Sequence, residues 1–215
     1  AEKRVAVVTN AGGPGIVAAD TIENSGLDMA RFTKETIKEL QNKLPAEANI
    51  YNPVDVLGDA RADRYSFSLE KVMSDAGVDS TLVLVCPTAV TDPINTAREV
   101  VRIHHKYPNK PIFAAYMGGE VLEEGAKILK QEGIPCFTFP EPAINALSGM
   151  AKYAEYLKES REIQSSDCYE VKKHKVQEIF EKVKLDGRLV LLGNETTKVA
   201  EIYGIPVAPI KIASN

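Results

Sequence analysis

Short apolar runs alternate with amphipathic segments along the first 160 or so residues. Val5–Val8 and Thr81–Cys86 are apolar runs that predict strands covered on both faces, as in a parallel sheet. Leu27–Phe32, Pro111–Tyr116 and Ile134–Phe139 predict three more strands. Between them, hydrophobic residues recur at the three- and four-residue spacing of helices. This repetition predicts a three-layer α/β/α fold, a parallel sheet with helices on both faces.

Residues typical of helix ends mark where these helices begin and end. Pro14 and Gly26 bracket a first helix, and Thr33 caps a second. The segment 92–106 opens with Asp92-Pro93, and a long helix follows Pro140. We expect the α/β domain to cover residues 1–158.

The composition changes after this domain. Residues 159–188 are strongly charged and predict a linker with a helix rather than more sheet. Residues 189–215 form a separate short unit, with an apolar run, a helix and then Tyr203-Gly204-Ile205-Pro206.

Overall charge and hydropathy exclude several classes of protein. The 215 residues carry a net charge of −4 and are 44% hydrophobic, which argues against disorder and against a nucleic-acid-binding surface. The one basic run, Lys172–Lys175, is surrounded by glutamates and predicts a solvated helix face. No apolar run is long enough to span a bilayer or to form a signal peptide, so we expect a cytoplasmic protein.

Cysteines and histidines do not form a recognisable site. The three cysteines, Cys86, Cys136 and Cys168, are widely spaced. His104 and His105 are neighbours that would point in different directions on a helix, and His174 lies in a charged stretch. Without a C-x-x-C pair, a disulfide framework and a zinc site are both disfavoured. Cys86 and Cys136 lie in apolar runs and are expected to be inert core residues. We predict no metal site and no catalytic residue in these 215 residues.

A glycine-rich loop after the first predicted strand is the main candidate site. Its proposed phosphate-binding residues are Asn10, Ala11, Gly12, Gly13, Pro14 and Gly15. Glycines let an anion approach the backbone closely, and the start of a helix offers free N–H groups. The loop is neither a Walker A loop nor a G-x-G-x-x-G dinucleotide fingerprint. A tight structural turn is the alternative interpretation.

Three further loops follow predicted strands or turns and are expected to support this site. Their candidate residues are Asn52, Pro53, Asp55, Gly58, Thr88, Gly118 and Gly119. Taken alone, the segment 52–59 is more typical of a plain loop than of a binding site. The sequence Gly118-Gly119-Glu120 is predicted to open a helix that ends at Gly133, with Glu120 as a partner for the helix dipole.

Three of these motifs, in this order, resemble the ADP-forming acyl-CoA synthetases, which are related to succinyl-CoA synthetase. They are the segments 5–15, 52–60 and 117–119, and the resemblance covers residues 3–157. The part of the family that these residues resemble is the second of its two flavodoxin-like succinyl-CoA-ligase domains. Residues 191–206 resemble the lead-in to the family's ATP-grasp domain, although Gly193 and Thr197 replace its usual acidic residue and lysine.

The resemblance implies that the full enzyme converts a carboxylic acid, CoA and ATP into acyl-CoA, ADP and phosphate. ATP or ADP, Mg²⁺ and CoA would be its cofactors, and none is assigned to this chain. The family passes phosphate through a histidine in a Ser-His-Thr-Gly-Ala-like motif, which these residues lack. The glycine loop would face that histidine from another domain or subunit. We therefore expect a part of a larger homo- or hetero-oligomeric synthetase, inactive alone.

One other class stays open at this point. The chain could be a stand-alone flavodoxin-like module that senses an anion or an acyl-CoA without catalysis. A flavin-binding electron carrier fits poorly, because the chain has no Trp and the loop lacks a Ser/Thr-rich cradle. The acid substrate is not indicated by any residue pattern.

Overall fold

The computed structural model describes residues 3–162 and 171–208. The chain divides into two compact units, residues 1–161 and 162–215. The elements that begin in the first unit are β1 Arg4–Thr9, α1 Gly12–Ser25, β2 Asp28–Met29, α2 Lys34–Lys43, β3 Val54–Asp55, α3 Ala62–Ser74, β4 Ser80–Val85, α4 Pro93–Lys106, β5 Ile112–Tyr116, α5 Glu123–Gln131, β6 Cys136–Phe137 and α6 Pro140–Glu162.

All strand pairs in the sheet are parallel, in the order β2-β1-β4-β5-β6. The outer edge of β1 is shared, because β2 pairs with its start and β3 with its end. Between these two pairings, the Asn52 side chain accepts from the Val7 N–H at 2.8 Å and donates to the Val5 carbonyl at 2.9 Å. The amide of Asn52 thereby replaces a strand in the gap.

Helices cover both faces of the sheet, which confirms the three-layer α/β/α prediction. Along β1, Ala6 and Val8 face one hydrophobic core, whereas Val5 and Val7 face the other. The first core lies under α2, α3, α4 and α5, and the second lies under α1 and α6. Since both faces of β1 and β4 are buried, these strands are apolar at nearly every position.

The structure corrects the sequence at several points. The strands predicted at Leu27–Phe32 and Ile134–Phe139 are each only two residues long, β2 and β6. The segment 52–59, predicted as a turn, contains β3, which is only two residues long and has no apolar run to mark it. The predicted helix start at Gly118 is wrong. A 3-10 turn spans Gly119–Leu122, and α5 begins at Glu123. Gly119 has a φ of 58°, a left-handed conformation that an α-helix cannot contain.

The second unit contains α7, Lys173–Leu185, and α8, Gly193–Ile202. Residues 163–170 of the expected linker lie outside the described part of the chain. Lys173 and His174 are exposed in the first turn of α7, as the charge pattern predicted. The interpretation of 189–215 as the start of an ATP-grasp domain stays a prediction. In the described residues, no helix combines the length and apolarity that membrane crossing requires.

Candidate functional site

The loops that follow β1, β3 and β4 meet at the carboxyl end of the sheet. A Cβ placed on Gly12 would lie 3.4 Å from Oδ2 of Asp55. One placed on Gly58 would lie 3.6 Å from Cγ2 of Thr88. Three of the loops singled out in the sequence therefore form one surface around the start of α1.

The start of α1 exposes backbone N–H groups. Ala11 occupies the N-cap position, and no side chain accepts from the first turn. Helix geometry leaves the N–H groups of Gly12 and Gly13 without acceptors inside the helix. Both glycines are exposed. Pro14 has no N–H, and the N–H of Gly15 donates to the Ala11 carbonyl at 3.2 Å. The open donors are thus those of Gly12 and Gly13.

Gly13 has no structural reason to be a glycine. A Cβ at this position would meet no atom within 4 Å, and its φ is not left-handed. Gly15 differs, because a Cβ there would lie 3.1 Å from Cγ2 of Thr9. A glycine in a helix costs about 1 kcal/mol relative to alanine. Neither packing nor backbone conformation within this chain therefore explains the glycine at position 13.

The glycines after β5 have a different explanation. A Cβ on Gly118 would lie 2.7 Å from Cγ of Pro87, so close packing excludes a side chain. Gly119 adopts the left-handed conformation noted above. Both residues shape the chain, and neither presents a free helix terminus like that of α1.

Carboxylates or a hydroxyl accompany every other helix start in the first unit. Among the described helices α1–α6, only α1 has neither a side-chain cap nor an acidic residue in its first turn. The corresponding groups are Thr33 and Glu35 in α2, Asp63 in α3, Asp92 in α4, Glu123 and Glu124 in α5, and Glu141 in α6. Within its own first turn, α1 therefore has no group that compensates the positive end of its dipole.

Asn10 lies at the site but is not free to bind a ligand. It is 3% exposed, and both polar atoms of its side chain bond the backbone of Cys86, which follows β4. Thr9, at the end of β1, is also buried, and its hydroxyl accepts from the Ala11 N–H at 3.0 Å. These side chains hold the loop, so only backbone groups of residues 12–13 face outward as donors.

The loop after β3 contributes a carboxylate and a carbonyl. Oδ1 of Asp55 accepts from the Leu57 N–H at 2.9 Å. The hydroxyl of Thr88 donates to the Gly58 carbonyl at 2.8 Å. Thr91 also takes part, bonding both Thr88 and the Cys86 carbonyl. Thr91 was not predicted as a site residue, because nothing local in the sequence distinguishes this threonine from an ordinary surface residue. Asn52 and Pro53 lie beside β1 and pack the loop from the side.

The two cysteines in the described residues are half-buried rather than fully buried as expected. Cys86 follows β4 instead of lying in it, and burial raises the pKa of its thiol. Burial also raises the pKa of Cys136 to about 11. Both thiols are therefore protonated at neutral pH and are poor nucleophiles. No group of three His, Cys, Asp or Glu residues within 3–162 and 171–208 is arranged to hold a metal ion.

Apolar side chains are exposed around this polar loop. Ile16 in α1 is 64% exposed, and Val121 after β5 is 66% exposed. Val90 and Phe139, which follow β4 and β6, are exposed as well. All four residues follow strands, so exposed apolar side chains lie at the same end of the sheet as the open N–H groups.

Comparison with known proteins places this chain in a family. Residues 5–160 match the model of the Ligase-CoA domain. An ADP-forming acetate–CoA ligase I from Archaeoglobus fulgidus is 41% identical over 98% of this chain. The alpha subunit of ADP-forming acetate–CoA ligase II from Pyrococcus furiosus is 36% identical over 71% of it.

A solved structure supports the same assignment. The dinucleotide-forming acetyl-coenzyme A synthetase 1 of Ca. Korarchaeum cryptofilum, in complex with phosphate and ADP, matches 76% of this chain and 36% of its own, with a TM-score of 0.70 and 29% identity. The chain spans only 30% and 34% of the two ligases above. The chain belongs to the Ligase-CoA domain family, which it shares with ADP-forming acid–CoA ligases.

Proposed function

We propose that this chain is the phosphate-facing domain of an ADP-forming acid–CoA ligase. The full enzyme would convert a carboxylic acid, CoA and ATP into acyl-CoA, ADP and phosphate through a phosphohistidine. The observation that carries this proposal is the start of α1, where Gly12 and Gly13 present free N–H groups with no cap and no nearby acid in the helix. A helix N-terminus of this kind suits a phosphoryl group.

The neighbouring carboxylate favours phosphohistidine over free phosphate. Oδ2 of Asp55 lies close to Gly12 and would repel a dianion that arrived alone. A phosphohistidine combines an anionic phosphoryl group with a ring N–H donor, so it can satisfy both the amides and the carboxylate. Asp55 and the α1 amides thus fit the two parts of one ligand.

Other domains or subunits would complete the enzyme. The exposed Ile16, Val121 and Phe139 suit a protein surface that brings the phosphohistidine and the CoA site to α1. Relatives include both a longer chain and a separate alpha subunit, so both arrangements occur among them. ATP or ADP, with Mg²⁺, would bind an ATP-grasp domain that begins near residue 189. In this region Glu195 accepts from the Leu192 N–H at 2.7 Å and secures the start of α8.

The test is the Gly13→Val variant of the whole synthetase. The measured quantity is the acid-labile radiolabelled phosphate that is transferred from ATP to the protein. Valine restricts the backbone and blocks approach to the amides. Losing one charge-assisted contact should lower phosphorylation per folded molecule by about ten- to a hundred-fold.

Gly149→Val is the matched control, because Gly149 is also an exposed helical glycine with no atom within 4 Å of a Cβ. It should match Gly13→Val in unfolding midpoint and retain full phosphorylation. If both variants lose stability while the folded fraction of each is fully phosphorylated, the α1 loop is only scaffolding. A free module that senses an anion would instead bind phosphate as the isolated chain.

A further inference from the structure

Asn10 connects two strands that are far apart in sequence. The N–H of Cys86 donates to Oδ1 of Asn10 at 2.9 Å. In return, Nδ2 of Asn10 donates to the Cys86 carbonyl at 2.9 Å. These two hydrogen bonds fix which atom of the Asn10 amide is the oxygen and which is the nitrogen, because the backbone N–H needs an acceptor and the carbonyl needs a donor. The end of β1 is thereby locked to the end of β4.

The bonds continue from Cys86 across the surface. Its carbonyl also accepts from the Thr91 hydroxyl at 3.2 Å. The hydroxyls of Thr91 and Thr88 lie 2.9 Å apart, and Thr88 donates to the Gly58 carbonyl at 2.8 Å. A continuous chain of hydrogen bonds therefore runs from the glycine loop to the loops after β4 and β3.

A buried tyrosine bonds the end of β4, to which Asn10 is joined. The hydroxyl of Tyr65 is fully buried and donates to the Leu84 carbonyl at 2.7 Å. Burial raises the pKa of Tyr65 well above its ordinary value. The tyrosine thus stays a neutral donor that holds the end of β4, where Asn10 bonds Cys86.

We propose that Asn10 is a positioning residue, which aligns the start of α1 so that the N–H groups of Gly12 and Gly13 meet the phosphoryl group in transfer. The inference rests on the proposed function and replaces the expected role of Asn10 as a direct phosphate ligand. Donors act in catalysis only when they are held in place before the charge develops, so a small shift of α1 lowers the rate.

Asn10→Asp in the whole synthetase tests this role through pH. A protonated aspartic acid can accept from the Cys86 N–H and donate to its carbonyl, as the amide does. An ionised one places negative charge against that carbonyl oxygen. At 3% exposure the pKa of the new carboxyl group will be raised. Relative to the parent at each pH, phosphoryl transfer per folded molecule should approach parity at acidic pH and fall by about tenfold as the group ionises.

Ser148→Ala is the control for a merely structural loss. The Ser148 hydroxyl is buried and donates to the Ser25 carbonyl at 2.8 Å, at the opposite end of α1. This variant should lower the unfolding midpoint without changing transfer per folded molecule at any pH. The KM for ATP should stay at the parent value in both variants, because nucleotide binds elsewhere.

The proposal is overturned if the ratio of phosphoryl transfer in Asn10→Asp to that in the parent is near one at every pH. It is also overturned if this ratio is lowered equally at every pH. If the variant does not fold, Thr91→Val gives the answer. It removes the hydroxyl that bonds the Cys86 carbonyl, and unchanged transfer per folded molecule would equally contradict the role. Gly13→Val separates the two proposals. If Gly13→Val loses phosphoryl transfer while transfer by Asn10→Asp shows no pH dependence, only the positioning role of Asn10 is refuted.

Discussion

The starts of α1 and α4 lie at the same end of the sheet but are built in opposite ways. At α4, Asp92 accepts from the Asn95 N–H at 3.1 Å, and Pro93 occupies the first turn. At α1, Gly12 and Gly13 leave the corresponding positions open. At α4 the Asp92 cap and Pro93 reduce the number of open backbone donors, whereas at α1 the N–H groups of Gly12 and Gly13 have no side-chain acceptor. A helix start therefore indicates a binding site only when its donors lack partners within the fold.

The start of α2 is a second helix start whose backbone donors have partners in the fold. Removing those partners should cause the largest loss of stability. Oδ2 of Asp75 accepts from the N–H of Thr33, the N-cap residue, at 2.8 Å, and Oδ1 accepts from the Gly77 N–H at 2.6 Å. Asp75→Ala leaves these donors unpaired in a site only 3% exposed. We expect a loss of about 2–4 kcal/mol in unfolding free energy, measured by denaturant titration.

The pH dependence of this loss follows from the pKa of Asp75. Burial alone would raise the pKa, but hydrogen bonds from Thr36, Thr33 and Gly77 outweigh it and hold the pKa below its ordinary value. A lowered folded-state pKa adds stability above the unfolded-state pKa, and this stability is lost as pH falls through the folded-state value. The gap between parent and Asp75→Ala should thus narrow in acid, and a gap that widens there would contradict this assignment.

Two glycines near the helix starts should respond oppositely to alanine. A Cβ on Gly125 in α5 would lie 2.6 Å from the Pro93 carbonyl oxygen at the start of α4. Gly125→Ala should therefore cost about 1–3 kcal/mol through overpacking. Gly13→Ala meets no atom and should gain about 0.5–1 kcal/mol from helix propensity. Thermal unfolding of the two variants checks the signs, and destabilisation by Gly13→Ala would show that the loop needs glycine for its own folding.

Removal of the α4 cap should cause the smallest loss of stability. Asp92→Ala is expected to lower the unfolding free energy by about 1 kcal/mol, the usual contribution of an N-cap side chain. Hydrogen bonds from Asn95 lower the pKa of Asp92, so this contribution is lost as pH falls through that value. Phosphoryl transfer per folded molecule should not change. A loss of transfer as large as that of Gly13→Val would move the phosphate site from α1 to α4.

The fold was predictable where apolar runs or helical periodicity mark an element, and β3 was missed because no such pattern marks it. The apolar runs of β1 and β4 and the capping residue Thr33 appear at their predicted places. β3 was not predicted, because it depends on backbone pairing with β1 rather than on a run of side chains. Local patterns cannot indicate that Asn52 fills the gap beside this strand.

The candidate site was predictable only in part, for a related reason. The glycine loop is recognisable because its residues are adjacent in sequence. The role of Asn10 depends on Cys86, 76 residues away, and no local pattern joins them. Gly13, Gly15 and Gly118 look alike in sequence, and only packing separates the exposed glycine from the two that neighbouring atoms require.

Gly13→Asp tests the open start of α1 most directly, with phosphoryl transfer and the unfolding midpoint measured on one sample. An acidic residue in the first turn interacts favourably with the helix dipole by about 0.3–1 kcal/mol, so the variant should unfold at the parent temperature or higher. Its carboxylate would occupy the position of the phosphoryl group and would repel that group electrostatically. We expect transfer from ATP to fall by at least about tenfold per folded molecule. Retention of full transfer in a variant of equal or greater stability would show that no phosphoryl group approaches α1.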